Sequence, residues 1–213
     1  ELKKVVEGDV SDDAQTLATF SRDASLFVVK PSTVVFPKNV SDVRKVVSFV
    51  RDHKKLEPLL SITGRSAGTD MSGGPLTQSI VLSFSKYFTH GTVDPDTMSA
   101  ETEPVTFYRD FEKETLKYNL LFPTYPASRE LCAMGGIVNN NSAGEKTLEF
   151  GQTKDFIQEV SIVCSDGNEY TFKELGEKEL AEKITLQTFE GDVYRKLSKL
   201  VKDNWGVIQA AKP

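Results

Sequence analysis

The residues best suited to chemistry lie in one stretch, Ile62-Thr63-Gly64-Arg65-Ser66-Ala67-Gly68-Thr69-Asp70-Met71-Ser72-Gly73-Gly74. Small side chains let the backbone approach a ligand closely, and glycines permit positive φ. Successive backbone N–H groups in such a turn form a concavity that accepts anions. The Ser and Thr hydroxyls add donors. A diphosphate needs a surface of this kind, with many short uncharged donors on a turn. A flexible surface loop has the same composition, so composition alone does not separate the two.

A second stretch runs from Pro126-Ala127-Ser128 to Cys132-Ala133-Met134-Gly135-Gly136-Ile137-Val138-Asn139-Asn140-Asn141-Ser142-Ala143-Gly144. A long tract without periodicity inside a compact domain is usually functional or disordered. The apolar Leu131, Met134, Ile137 and Val138 argue against disorder. Three asparagines and Ser142 offer a dense set of donors and acceptors. These suit a polyol chain, a phosphate or a carbonyl-bearing ring. A polar turn network that satisfies its own backbone is the alternative.

The elements around these stretches must hold them in place. A helix is expected to begin near Ser11. Leu26–Val29, Val34–Phe36, Leu59–Ile62 and Ser79–Phe84 are short apolar runs bounded by turn signals and read as strands. Ser41 can cap a helix with Val43, Val46, Val47 and Val50 on one face. The first glycine-rich stretch thus follows one strand and precedes another, in a lobe of about residues 15–86 with a partly parallel sheet. The second lobe, about 87–213, is expected to be mainly antiparallel, with the boundary near Lys86–Pro95. It holds a strand at Thr97–Thr102, a helix at Thr106–Lys117, a loop-rich tract at Pro123–Gly151, and a hairpin Phe156–Cys164/Glu169–Phe172 turned at Asp166-Gly167. Lys173–Lys183 reads as a solvated helix face, and Phe189–Val201 as an amphipathic helix.

Composition narrows the function classes. The chain has 213 residues and a formal net charge of −5, which argues against a nucleic-acid footprint. No apolar run approaches the ~20 residues needed to span a bilayer, and Glu1-Leu2-Lys3-Lys4 is not a signal peptide. Cys132 and Cys164 give no disulfide framework, so a cytoplasmic setting is expected, with peripheral membrane attachment of a longer protein left open. Cys132 reads as a small buried residue. His53 and His90 lack metal-ligand neighbours, so no metal is expected. Neither the P-loop nor the Gly-x-Gly-x-x-Gly fingerprint occurs.

Gly64–Gly74 resembles the diphosphate loop of the vanillyl-alcohol oxidase / p-cresol methylhydroxylase (PCMH-type) flavoproteins. The run Tyr125–Ser128, Cys132–Gly144, Phe150-Gly151, Asp155 and Val160–Gly167 resembles that family's second cofactor segment, in order and spacing. Ser21–Ser25 and Phe36–Val43 fit as well, so the resemblance covers roughly residues 20–170. The chain is most similar to the glycolate oxidase / D-lactate dehydrogenase branch. The resemblance implies an α+β PCMH-type FAD-binding domain of two α/β lobes. It implies that the backbone of Arg65, Ser66, Ala67, Gly68 and Thr69, with the Ser66 and Thr69 side chains, holds the diphosphate, that Gly64 and Asp70 belong to the same cofactor-binding loop, and that Ser72 and Gly73 close the turn. Pro126 and Ser128 would lie along the ribityl and ring side. Met134, Gly135, Gly136, Asn140, Asn141, Ser142 and Gly144 would line the flavin path, and the Ile162 backbone would meet the adenine.

Departures from the family pattern carry information. Some relatives bind flavin covalently through a His in the first loop. The matching Ala67-Gly68-Thr69-Asp70 has none, which implies non-covalent FAD. Asp70 stands where a small residue is commoner, and an acid beside a diphosphate is unfavourable unless it points away or pairs with a cation. Asn139 and Ala127 also replace residues that are usually smaller. The family carries its substrate and catalytic residues on a C-terminal cap domain, expected to be absent from this chain, so no catalytic residue is nominated. The expected activity is oxidation of a small 2-hydroxy acid to the 2-oxo acid. A flavin-carrying subunit without its own catalysis, or an enzyme like UDP-N-acetylenolpyruvylglucosamine reductase, are the alternatives.

Overall fold

The structure is a computed structural model describing residues 1–211. The chain forms two compact units, Glu1–Ile157 and Gln158–Pro213. The expected lobe boundary near residue 86 falls inside the first.

The first unit begins with β1 (Asp9–Ser11) and α1 (Ala14–Thr19). Asp13 caps α1, its Oδ1 accepting the Thr16 amide at 2.9 Å. Then come β2 (Thr33–Phe36), α2 (Val40–His53), β3 (Ile62–Arg65) and β4 (Ile80–Ser83). The four strands form one sheet in the order β1-β2-β4-β3. β1 runs antiparallel to β2, and β2, β4 and β3 are parallel. All of β4 is buried, as parallel strands covered on both faces are. Leu17, Val34, Phe36 and Val81 form its core, with Phe20 against them.

Three local expectations change. Asn39 caps α2 in place of Ser41, its Oδ1 taking the Asp42 amide at 3.0 Å. The strand expected at Leu59 starts at Ile62, and Leu59 is exposed. Leu26–Val29 is not a strand: it belongs to no sheet, and Leu26, Phe27 and Val28 are exposed.

The rest of this unit contains the hairpin β5 (Gly91–Asp94) and β6 (Ser99–Thr102), then α3 (Tyr108–Leu116), α4 (Met134–Asn139) and α5 (Thr147–Phe150). Tyr108, Phe111, Tyr125, Cys132, Met134 and Ile137 form a second core. The tract expected to be loop-rich is therefore interrupted by α4. Two adjacent glycines, each costing about 1 kcal/mol of helix propensity, hide that helix in the sequence. Burial of Met134 and Ile137 on one side stabilises it.

The second unit is built on the antiparallel hairpin β7 (Glu159–Val163) and β8 (Glu169–Lys173), turned at Asp166-Gly167 as expected. Gly167 adopts a φ of +82°, which only glycine takes without cost. Helices α6 (Glu177–Thr185), α7 (Phe189–Asp203) and α8 (Trp205–Ala210) follow. Phe189 stacks on Tyr170 and Tyr194 lies against Phe172, which docks the start of α7 on the hairpin. Among the described residues no helix is long and apolar enough to cross a membrane.

Candidate functional site

The first glycine-rich stretch joins two neighbouring parallel strands, β3 and β4. A parallel pair requires a crossover, and here residues 66–79 make it without a helix. The stretch leaves β3 at its carboxyl end, the edge where open α/β sheets hold ligands. Gly68 has a φ of +71°. A Cβ on it would come within 2.5 Å of the Arg65 guanidinium, which is folded beneath the loop. Among the described residues the amides of Ser66, Ala67, Gly68 and Thr69 bond to nothing. Unpaired N–H groups in a tight turn are a ready anion site.

Arg65 reinforces that polarity. Its guanidinium lies 5.1 Å from the Phe20 ring centre and donates to the Phe20 carbonyl at 3.4 Å. Burial pushes its pKa down and the Asp23 carboxylate pulls it back up, so Arg65 stays charged at neutral pH. Asp23 Oδ1 accepts the Ser25 amide at 2.8 Å. Its Oδ2 is buried without a partner, an acceptor that a ligand hydroxyl can satisfy.

The far side of the loop is closed on itself. Asp70 Oδ1 accepts the Ser72 amide at 2.6 Å, the Ser72 hydroxyl at 2.8 Å and the Gly74 amide at 3.2 Å. These donors, the Ser72 amide first, hold the Asp70 carboxyl below the usual carboxylate range. Asp70 is therefore occupied with the turn, which explains how an acid is tolerated there. Ser72 donates to Asp70 within this turn through both its amide and its hydroxyl, and Gly73 has a φ of +86°.

The second stretch folds around α4. Gly135 is pressed on Pro104, where a Cβ would lie 2.8 Å from the carbonyl oxygen. Gly136 faces open space, with nothing within 4 Å of a Cβ built on it. Asn140, past the end of α4, is exposed. Asn141 sits at a φ of +45° and braces the next turn, donating to Gln152 Oε1 at 3.0 Å and accepting the Lys154 amide at 2.9 Å. Ser142 is buried, and its carbonyl accepts both the amide and the hydroxyl of Thr153. Gly144 touches the Tyr125 backbone so closely that a Cβ would fall 1.9 Å from the Tyr125 oxygen. Beside it a cleft of about 270 Å³ is lined by Tyr125, Pro126, Ala127, Arg129 and Glu145. Tyr125 donates to Glu145 Oε1 at 2.7 Å across it, and that carboxylate holds the phenol pKa up. Ser128 contributes its carbonyl to the amides of Leu131 and Cys132. Burial pushes the Cys132 thiol up, consistent with a packed residue.

One carbonyl connects the two stretches. Ser66 Oγ donates to the Pro104 oxygen at 2.7 Å, and the Gly135 amide donates to the same oxygen at 3.0 Å. The Ser66 hydroxyl proton is thus committed, and what Ser66 offers a ligand is its amide. Pro104 and Phe20 escaped the sequence reading, and Asp23 entered it only as part of Ser21–Ser25, without a role. Pro104 and Phe20 act through backbone carbonyls, which every residue has, so residue type carries no signal for them. Ile162 belongs to the second unit, opposite Tyr170 in the hairpin.

What the first unit brings together is a row of free amides over a half-buried cation, with a glycine that faces open space in the second stretch. The arrangement suits an anion whose attached groups are flat or hydroxyl-bearing. Comparison with known proteins agrees. Residues 31–173 match the family described as FAD binding domain. The chain is 25% identical over 140 residues to glycolate oxidase subunit GlcD of Bacillus subtilis, covering 65% of this chain and 29% of that protein. It is 27% identical over 176 residues to D-2-hydroxyglutarate dehydrogenase of Stutzerimonas stutzeri, covering 79% and 36%. The chain therefore spans about a third of the length of these curated relatives. Among solved structures, 6-hydroxy-D-nicotine oxidase of Arthrobacter nicotinovorans superposes with a TM-score of 0.70 at 22% identity, over 82% of this chain and 38% of that one. At that identity the likeness shows the fold alone.

Proposed function

The chain belongs to the FAD binding domain family, and from that premise we propose that it holds FAD non-covalently as the cofactor-binding part of an oxidoreductase acting on a small 2-hydroxy acid. The observation that carries the reading is the run of free amides at Ser66–Thr69 above the Arg65 guanidinium. The residues present fit the cofactor. The diphosphate takes the amides and the Arg65 charge. Gly136 leaves room for a flat ring system to approach the α4 backbone. Hydroxyls of the ribose or ribityl chain match the unpaired Asp23 oxygen. In this reading Gly64, Ala67, Thr69, Pro126, Ser128, Met134, Asn140, Asn141, Ser142 and Gly144 shape the cradle, with Ile162 on the adenine side.

FAD, when bound, supplies the two-electron acceptor. This chain binds and orients it, and Asp70 keeps the loop in its binding shape. The 2-hydroxy-acid class rests on glycolate and D-2-hydroxyglutarate in the names of the relatives, and the substrate groups and the base belong to a cap domain. A cytoplasmic setting is supported by the two free cysteines.

Titration with FAD, followed by flavin fluorescence and thermal unfolding, tests the proposal. At a hundredfold excess over Kd, binding stabilises the fold by about 2.7 kcal/mol, which moves Tm by about 5–10 °C for a chain of this size. An unchanged Tm with free-flavin fluorescence throughout would reject it.

A further inference from the structure

The Pro104 carbonyl is a shared acceptor in a place where sharing matters. A carbonyl oxygen has two lone pairs, and the Ser66 hydroxyl at 2.7 Å and the Gly135 amide at 3.0 Å take both. Ser66 begins the loop with the free amides. Gly135 lies in the first turn of α4, whose N-cap, Ala133, supplies no side-chain acceptor. The first amides of a helix need partners from elsewhere, and here Thr106 O takes Met134 N at 2.9 Å while Pro104 O takes Gly135 N. The bracket is itself anchored. Val105 N donates to Phe88 O at 2.8 Å, and Thr106 Oγ1 donates to His90 O at 2.6 Å. Gly135 admits no side chain, since a Cβ would meet Pro104 O at 2.8 Å and Pro104 Cα at 2.9 Å.

We propose that the Pro104 carbonyl is the joint that sets the two cofactor loops in register before any ligand arrives, and that Ser66 is a positioning residue acting through it. The proposal rests on the reading that these loops take FAD. A ligand that spans both loops gains from their fixed spacing, because ordering is not left to the moment of binding. A ligand held by the first loop alone gains nothing from the joint. ADP is such a ligand if the diphosphate occupies Ser66–Thr69.

The experiment compares the intact chain with Ser66→Ala and Ser66→Thr. Amide hydrogen exchange is read without ligand, and FAD and ADP affinities are read by titration. In Ser66→Ala, exchange at Gly135, whose amide is held by Pro104 O, is expected to accelerate. FAD affinity is expected to fall about tenfold, one strong hydrogen bond's worth, while ADP affinity changes less than about twofold. Ser66→Thr keeps a hydroxyl and is expected to restore both readouts. Unchanged Gly135 exchange, equal losses of FAD and ADP, or no rescue by Thr each overturns the joint. If the unaltered chain binds no FAD while Gly135 exchange still responds to Ser66→Ala, the joint stands and the cofactor reading falls.

Discussion

Ser66 and Gly135 donate to a single oxygen, the carbonyl of Pro104. The two belong to stretches far apart in the chain, one leaving β3 and the other opening α4. Neither contact uses a group peculiar to its residue's expected role. The Ser66 hydroxyl holds the scaffold and leaves its amide for ligand. Gly135 has no side chain because Pro104 fills the space where one would go. The two stretches are therefore fastened to one another at one point.

Gly135 and Gly136 are neighbours with opposite surroundings, which gives a sharp prediction for Gly136→Ala. Nothing lies within 4 Å of a Cβ there, and an alanine in a helix gains up to about 1 kcal/mol over glycine. The variant is expected to be as stable as the parent or slightly more so. A ring system seated on α4 would meet the added methyl, so FAD affinity is expected to drop at least about tenfold. Paired urea denaturation and FAD titration check it, and intact affinity in a stabilised variant would remove Gly136 from the flavin path.

Gly144→Ala acts through the scaffold instead. The new Cβ would need to share space with the Tyr125 carbonyl, 1.9 Å away, and backbone on backbone leaves little to yield. A loss of about 3 kcal/mol is expected, at the upper end for overpacking. Because Tyr125 also lines the cleft with Pro126 and Glu145, near-ultraviolet circular dichroism should change with the unfolding midpoint. An unperturbed tyrosine signal would mean that the two segments part easily.

Much of this fold was legible because its signals were local. The alternation of Val34–Phe36, the α2 stripe and Ile80–Ser83 gave the parallel sheet, and Asp166-Gly167 gave the hairpin. Both glycine-rich stretches stood out through small residues, whose absence of bulk is itself the signal. The failures were tertiary. Leu26–Val29 has the apolar character of a strand but joins no sheet, and Leu26, Phe27 and Val28 are exposed. α4 is hidden by Gly135-Gly136 and exists because Met134 and Ile137 are buried. Asn141 also clamps Gln152 and Lys154, a contact that residue type alone does not announce. Asp70 looked out of place until its oxygen was seen capping Ser72 and Gly74.

The attachment of FAD follows from the side chains available. Residues 66–70 offer hydroxyls and a carboxylate that is already hydrogen-bonded, and no imidazole. Flavin bound to the chain is expected to be released entirely when the protein is precipitated with acid, leaving a colourless pellet. Yellow, fluorescent protein on a denaturing gel would contradict this. Removing FAD by dialysis against bromide should lower Tm, and adding it back should restore the original value, since the same linkage works in both directions.

Stability against acid should depend on Asp42. Its side chain is fully buried at the start of α2, where its two oxygens accept the amides of Glu7, Gly8 and Lys38 at 2.9, 2.9 and 3.0 Å. Burial by itself raises the carboxyl pKa, but those three amides and Lys45 outweigh it, and the net shift is downward. A carboxyl with a depressed folded pKa contributes its full stability above the unfolded value, about 3.9. That contribution is lost as pH falls through the lower folded pKa, when the proton displaces the donors. Asp42→Asn keeps one acceptor oxygen and gives up the charge, so it is expected to cost about 2–3 kcal/mol at pH 7, the range for hydrogen bonds to a charged group. Its unfolding free energy should also vary less than the parent's between about pH 5 and pH 2. Urea denaturation of both proteins across that window measures the difference. Parallel curves would show that the strap formed by residues 7–9 is held by β1 pairing and not by the buried carboxylate.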